Sequence, residues 1–409
     1  MVCARRVACP RRWPPNSAWT RDRVSAAPAP MRLESLLSAK EIVLMCGAGG
    51  VGKTTTAAAA AAMAATHSGG RVLALTVDPA RRLATALGLQ EFGNTETRVP
   101  TSAFTQAGAR PRGELWVAML DTNASWDDLV RTHAPDATTR DAILANPLYR
   151  NVTGKFVQSH DYIAMERLHE IHSSGRYDLI VVDTPPTRNA IDFLDAPDRM
   201  AEFFSSRLLR WLIAPYRSRM FTAASKPFYS VADRILGAQF LRDIAEFFML
   251  FQTMYDGFVD RAKAVTRTLE DRRTTFVVVT TLEATPAREA EFFINALVER
   301  RYHLGAVVCN RMLPDYFTER AGAQAAEAMK TDAAALATVM AHRVADRDAM
   351  QGVLREIAES YLNYHVVAAR EAEQLAELTV ASELVVRVPA LERDISSLAD
   401  VLEVGRHIW

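Results

Sequence analysis

The sequence predicts an α/β fold: a doubly wound, mostly parallel sheet with an inserted helical subdomain. Three observations predict it. Short apolar runs rich in Val, Leu and Ile recur along the chain with helical pattern between most of them, as buried parallel strands do. The first run is followed by a glycine-rich loop and then an alanine-rich segment, a strand–loop–helix order. One long stretch, residues 195–271, carries helical pattern and no strand signal.

Taken in order, residues 1–37 read as a leader. The first thirty contain Arg5, Arg6, Arg11, Arg12, Arg21 and Arg23, many prolines and almost no acid. They have no apolar h-region, so they are not a secretory signal; the composition fits an organelle transit peptide, a disordered leader or an over-extended start before Met31. The bland readings, leader or later start, are preferred. Residues 38–194 form the first part of the core, with strands at Ile42–Cys46, Val72–Val77, Leu115–Leu120 and Leu179–Val182. Residues 195–271 form the helical subdomain. Phe247, Phe248, Met254, Phe258, Val259 and Ala262 belong there to one broad apolar helix face, with Glu246, Asp256 and Asp260 opposite. Core packing is the favoured reading of that face; a Met/Phe-lined groove for an apolar protein client is the other. Residues 272–409 complete the core, with strands at Phe276–Thr280, Gly305–Cys309 and Leu384–Val388. The helical, Ala/Glu-rich insertion Ala323–Ala376 reads as solvated scaffold.

Composition narrows the function. The chain has 409 residues, 49% apolar and 23% charged, which suits one large α/β unit with an insertion. Net charge is zero, so no global field recruits nucleic acid or an anionic membrane. No run of about 20 apolar residues is present, so no integral membrane segment is expected. The four cysteines, Cys3, Cys9, Cys46 and Cys309, form no C-x-x-C pair. Cys46 and Cys309 each end a strand-like run and read as small buried core residues.

The chemistry sits just after the strands. Gly47-Ala48-Gly49-Gly50-Val51-Gly52-Lys53-Thr54-Thr55 follows the first strand and precedes the alanine-rich helix. Such a loop is a phosphate cradle: glycines curl the backbone so that N–H groups point inward, and the helix dipole adds positive potential. Lys53 can reach β- and γ-phosphates, and the Thr54 hydroxyl can bind Mg²⁺. Asp78, in Leu75-Thr76-Val77-Asp78-Pro79-Ala80, and Asp183, in Val181-Val182-Asp183-Thr184-Pro185-Pro186-Thr187, follow two further strands. Beside a phosphate loop one such carboxylate can hold Mg²⁺ and another can orient an attacking water. Taken singly, each also fits a helix N-cap.

With these segments, and with Val307-Val308-Cys309-Asn310-Arg311-Met312-Leu313-Pro314 and Val385-Val386-Arg387-Val388-Pro389, the chain resembles the deviant P-loop ATPases of the arsenite-pump (ArsA) and tail-anchored-protein-targeting type. The likeness spans about residues 38–409 and is nearest to single-domain, ArsA-like proteins of actinobacteria. It implies a cytoplasmic, Mg²⁺-dependent ATPase of the P-loop type, acting as an ATP-gated switch, dimeric, with a protein client or membrane-associated partner and no nucleic acid. By resemblance, Gly49, Gly50, Val51 and Gly52 line the phosphates with Lys53. Thr54 and Asp183 bind Mg²⁺, Thr55 the α-phosphate, and Asp78 activates water. Asn310 chooses adenine, and Pro389 belongs to the base-side loop. The chain also lacks an [N/T]-K-x-D guanine motif after a strand.

Three departures qualify the resemblance. Ala48 stands where family members carry a lysine that reaches the other subunit's nucleotide. That loss allows weak activity, a local substitute such as Arg81, Arg82 or Arg188, or a heterodimer with a lysine-bearing relative, and the last is the preferred account of it. The targeting factor's C-x-x-C pair is absent. So is a cysteine triad for arsenite, which disfavours metalloid pumping.

Overall fold

Strand β1 (Ile42–Cys46) is apolar and buried at every position and lies inside an eight-stranded sheet. The structure is a computed structural model describing residues 32–77, 95–120, 122–146, 157–185, 194–199, 246–250, 254–340 and 346–409, with Leu83, Leu87, Tyr149, Ile191 and Glu202. Its other strands are β2 (Arg71–Thr76), β3 (Thr97–Arg98), β4 (Glu114–Met119), β5 (Leu179–Asp183), β6 (Thr274–Thr280), β7 (Leu304–Met312) and β8 (Val385–Pro389). The order is β3-β4-β2-β5-β1-β6-β7-β8. All pairs are parallel except β3 with β4.

Side chains alternate across each strand, so the apolar runs feed two cores. Val43, Met45, Ala74, Val181, Val277 and Val279 face one core, with helices α1 (Leu33–Ser38) and α2 (Lys53–His67). Ile42, Leu44, Leu73, Ile180, Phe276 and Val278 face the other. Against that second face lie α6 (Val157–Ser173), α7 (Tyr255–Glu270), α8 (Ala284–Glu299) and the C-terminal part of α11 (Arg347–Ala381). The first core also takes α3 (Thr101–Gln106) and α12 (Leu398–Ile408). A sheet with helices on both faces is the doubly wound arrangement the sequence predicts.

Helix α2 is apolar all round. Ala57 to Ala62, Ala64 and Ala65 are buried because the helix lies between the sheet and α12. The contact with α12 is tight: a Cβ on Gly405 would sit 2.5 Å from Met63 Cγ. Helices α4 (Thr122–His133) and α5 (Ala137–Ala145) join a third cluster, in which Trp126, Val130, Tyr162, Phe247, Met254, Phe258 and Ala262 meet.

Several expectations need adjustment. Residues 33–37, assigned to the leader, form α1, because Leu33, Leu36 and Leu37 at helical spacing pack on the core. Cys309 lies inside β7 rather than at its end. The broad apolar face in 195–271 is not one helix throughout, since α7 starts afresh after the turn at Met254. Its described residues Phe247, Met254, Phe258 and Ala262 are buried, in line with the core reading. The insertion Ala323–Ala376 comprises α9 (Arg320–Thr331), α10 (Ala333–Met340) and most of α11, preceded by a 3₁₀ turn at Asp315–Thr318. Asp78, Arg81, Arg82 and Arg188 lie outside the described residues, as do residues 1–31 and most of 195–271.

Candidate functional site

At the end of β1 the chain must turn sharply to enter α2. Gly47 leaves the strand against β6 so closely that a Cβ would lie 2.0 Å from the Val279 carbonyl oxygen. Gly50 and Gly52 hold φ of 81° and 96°, left-handed conformations that favour glycine. Gly52 is the N-cap of α2 and offers no side-chain cap. The first N–H groups of α2 therefore receive no side-chain cap from the N-cap position, and the positive end of its dipole faces the loop. This is the geometry of an anion site.

Lys53 is buried, and its ammonium donates to the Ala48 carbonyl across the loop at 2.8 Å. Ala48 is 7% exposed and its methyl joins the first core, so this position holds a packed apolar side chain. Thr54 turns toward β5, where its hydroxyl donates to Asp183 Oδ2 at 2.8 Å. The Thr76 hydroxyl, at the end of β2, donates to the same oxygen at 3.1 Å. Asp183 itself is only 1% exposed, so these hydroxyls supply hydrogen bonds that water cannot easily reach to provide. The next residue, Thr184, donates from its hydroxyl to the Met45 carbonyl at 2.9 Å, fixing the chain beyond β5 to β1. Thr55 is half-buried in the first turn of α2.

Asn310 reaches the same loop from β7. Its side-chain amide donates to the Val51 carbonyl at 2.8 Å, and its Oδ1 accepts from the Arg311 N–H at 3.0 Å. A primary amide has two donors and two acceptor lone pairs, so bracing the loop leaves one of each for another group. Pro389 ends β8 opposite Met312, and the Ala390 N–H donates to the Met312 carbonyl at 2.9 Å. The structure thus gathers Lys53, Thr54, Asp183 and Asn310 around one loop, with Pro389 on the strand beside β7. Thr76 was not singled out in the sequence; its signal was a hydroxyl closing a strand two positions before Asp78. Gly49 and Gly50 are exposed, so their backbone faces solvent.

The donor set suits Mg²⁺: a carboxylate oxygen and a hydroxyl oxygen, both hard ligands, meet at the positive end of a helix. The uncapped N–H groups and the Lys53 ammonium likewise suit a polyphosphate. Arsenite is served poorly. Cys46 and Cys309 stand on β1 and β7 with β6 between them and two residues out of register, roughly 12 Å apart by sheet spacing. Burial pushes both thiols up to about 12, so both stay protonated near neutral pH.

Fold and loop together define an α/β protein of the P-loop type. The anion-transporting ATPase (ArsA) family pattern matches residues 40–370, and the chain belongs to that family. No curated protein matches it. Among the described residues no helix is long and apolar enough to cross a membrane.

Proposed function

We propose that this chain is a cytoplasmic ATPase that binds Mg²⁺–ATP in the loop Gly47–Thr55 and uses binding and hydrolysis as a switch on a protein partner. One observation carries the reading: Asp183 Oδ2 accepts from Thr54 at 2.8 Å and from Thr76 at 3.1 Å, so a single oxygen joins the phosphate-loop helix to β5 and β2. In this reading Lys53 exchanges its bond to the Ala48 carbonyl for phosphate oxygens. Gly49, Gly50, Val51 and Gly52 present backbone N–H groups, and Thr55 meets the α-phosphate. Thr54 and Asp183 hold Mg²⁺, which when bound neutralises charge on the β- and γ-phosphates. Asp78, four positions of chain away from Ala74 on β2, orients the attacking water. Asn310 and Pro389 flank adenine. The switch follows from the shared oxygen: when Thr54 turns its oxygen to a ligand, Asp183 loses that donor, and the end of β5 is released from α2 while Thr76 still ties it to β2.

The test is Mg²⁺-dependent ATP hydrolysis by the purified chain, with ATP affinity measured alongside. Lys53→Ala should remove turnover, by about 100-fold or more. Lys53→Ala turning over like the native chain would sink the reading.

Ala48 favours a second reading. Its packed methyl brings no cation to a neighbouring nucleotide. In that reading the chain is a catalytically weak, nucleotide-binding subunit that regulates a related, lysine-bearing ATPase in a heterodimer. ATP binding without turnover, with turnover appearing in Ala48→Lys, supports it; full turnover by the native chain as a monomer or homodimer rejects it.

A further inference from the structure

Helix α11 carries two apolar seams. One runs through Leu354, Ala358, Tyr361, Ala368 and Leu375 and is covered by α9, α10, the 3₁₀ turn and the sheet. Tyr361 donates to the Tyr316 carbonyl at 2.7 Å, and the His365 ring nitrogen Nδ1 lies 2.6 Å from the Phe317 carbonyl oxygen, so the 3₁₀ turn at the end of β7 clamps this side. The other seam lies one position over, through Val353, Ile357, Ser360, Tyr364 and Val367. Its spacing alternates four and three residues, the rhythm of helix-to-helix pairing. Among the described residues it is largely open: Val353, Ile357, Tyr364 and Val367 are 48%, 53%, 50% and 45% exposed, and only the Tyr364 ring is touched from one side, by Phe317 of the 3₁₀ turn at 5.1 Å between centroids. Residues on a solvated scaffold alone would be polar here.

The flank of this seam identifies its occupant. Its open side carries Glu356, Asn363 and Arg370, evenly spaced by two helical turns with the asparagine in the middle. Glu356 and Arg370 make no ion pair among the described residues. We propose that this seam is a self-association site that pairs two copies of the chain antiparallel about a two-fold axis. The axis passes near Asn363, midway between Glu356 and Arg370, so that the asparagine meets its own copy there. Glu356 then meets Arg370 of the partner subunit, and the same pair forms again across the axis, as an isologous contact requires. A parallel pair offers these charges no opposite partner. Five seam residues and three on its flank are far fewer than the roughly 20–30 residues a side of a standard interface, so the association is reversible and concentration-dependent. It includes no residue of the phosphate loop and needs no nucleotide, so it is separate from any dimer formed across bound ATP.

Sedimentation velocity of the full chain without nucleotide, over a concentration series, tests it. The native chain should pass from monomer to dimer. Glu356→Arg and Arg370→Glu should each weaken the dimer by about tenfold, since each sets like charges together twice. An equal mixture of the two variants should recover it as a heterodimer, because each supplies the charges the other lacks. Ile357→Glu should leave monomer, with unchanged thermal unfolding showing that the fold is intact. A native chain that stays monomeric throughout overturns the proposal. So does a dimer indifferent to all three substitutions, which would lie on another face.

Discussion

Asp183 Oδ2 shows how much one atom can be asked to hold. It takes hydrogen bonds from Thr54 on α2 and Thr76 on β2 while belonging to β5. Thr76→Val removes one donor from a buried acceptor, and we expect a loss of about 1–3 kcal/mol in denaturant unfolding. Its effect on turnover should be smaller than that of Lys53→Ala, since Thr76 lies outside the loop. Gly52 is constrained twice, by a φ of 96° and by Asn310 Nδ2, which lies 2.2 Å from where a Cβ would be. Gly52→Ala should therefore cost roughly 2 kcal/mol in thermal unfolding and weaken ATP binding. Adding Asn310→Ala should recover the part due to crowding and leave the part due to φ. At this scale the sequence was most informative where chemistry and backbone coincide. Glycines, lysine and threonines in one short string name a phosphate loop. Thr76 and the Asn310 brace were not legible, because each depends on a neighbour far along the chain.

Among elements, the seven apolar runs all became strands, the first with both ends unchanged and the others with ends shifted by at most three residues. Burial on both faces leaves such a run little alternative. β3 was missed because two residues, Thr97 and Arg98, give no periodicity to read. The insertion was read as solvated scaffold, yet it exposes the seam of α11; averaging over a polar stretch hides a four-and-three rhythm. Between α6 and α7 the carboxylate of Glu166 is ion-paired to the Arg261 guanidinium, with both side chains largely buried. The Arg261 guanidinium also lies over the Phe258 ring, 4.8 Å from its centroid. Burial holds the Glu166 carboxyl above its usual range. Removing one partner strands the other, so Arg261→Ala should cost about 3–5 kcal/mol in chemical denaturation. The double variant Glu166→Gln with Arg261→Met should cost less than that single change, because no unpaired charge remains.

For the molecule as a whole, buried acids set the response to alkali. The Cys46 and Cys309 thiols titrate near 9.0 when unfolded and at about 12 when folded, raised by burial. Burial raises the Tyr149 and Tyr162 hydroxyls as well. Above the unfolded values the unfolded chain sheds protons that the folded chain keeps, so stability falls as pH rises toward the folded values. The urea midpoint should therefore be lower at about pH 10 than at about pH 8, and replacing both cysteines by alanine should flatten the decline. The order of the sheet has a further consequence, for synthesis on the ribosome. β1 leaves the exit tunnel first among the strands, yet its partners β5 and β6 come from far downstream. α2 must likewise wait for α12, the helix that covers its alanines. At ~5–20 residues per second the segment bearing the phosphate loop spends tens of seconds as a nascent apolar stretch without its neighbours. A ribosome stalled before Leu398 would thus display an alanine helix with one side bare, a substrate for chaperones rather than a nucleotide site.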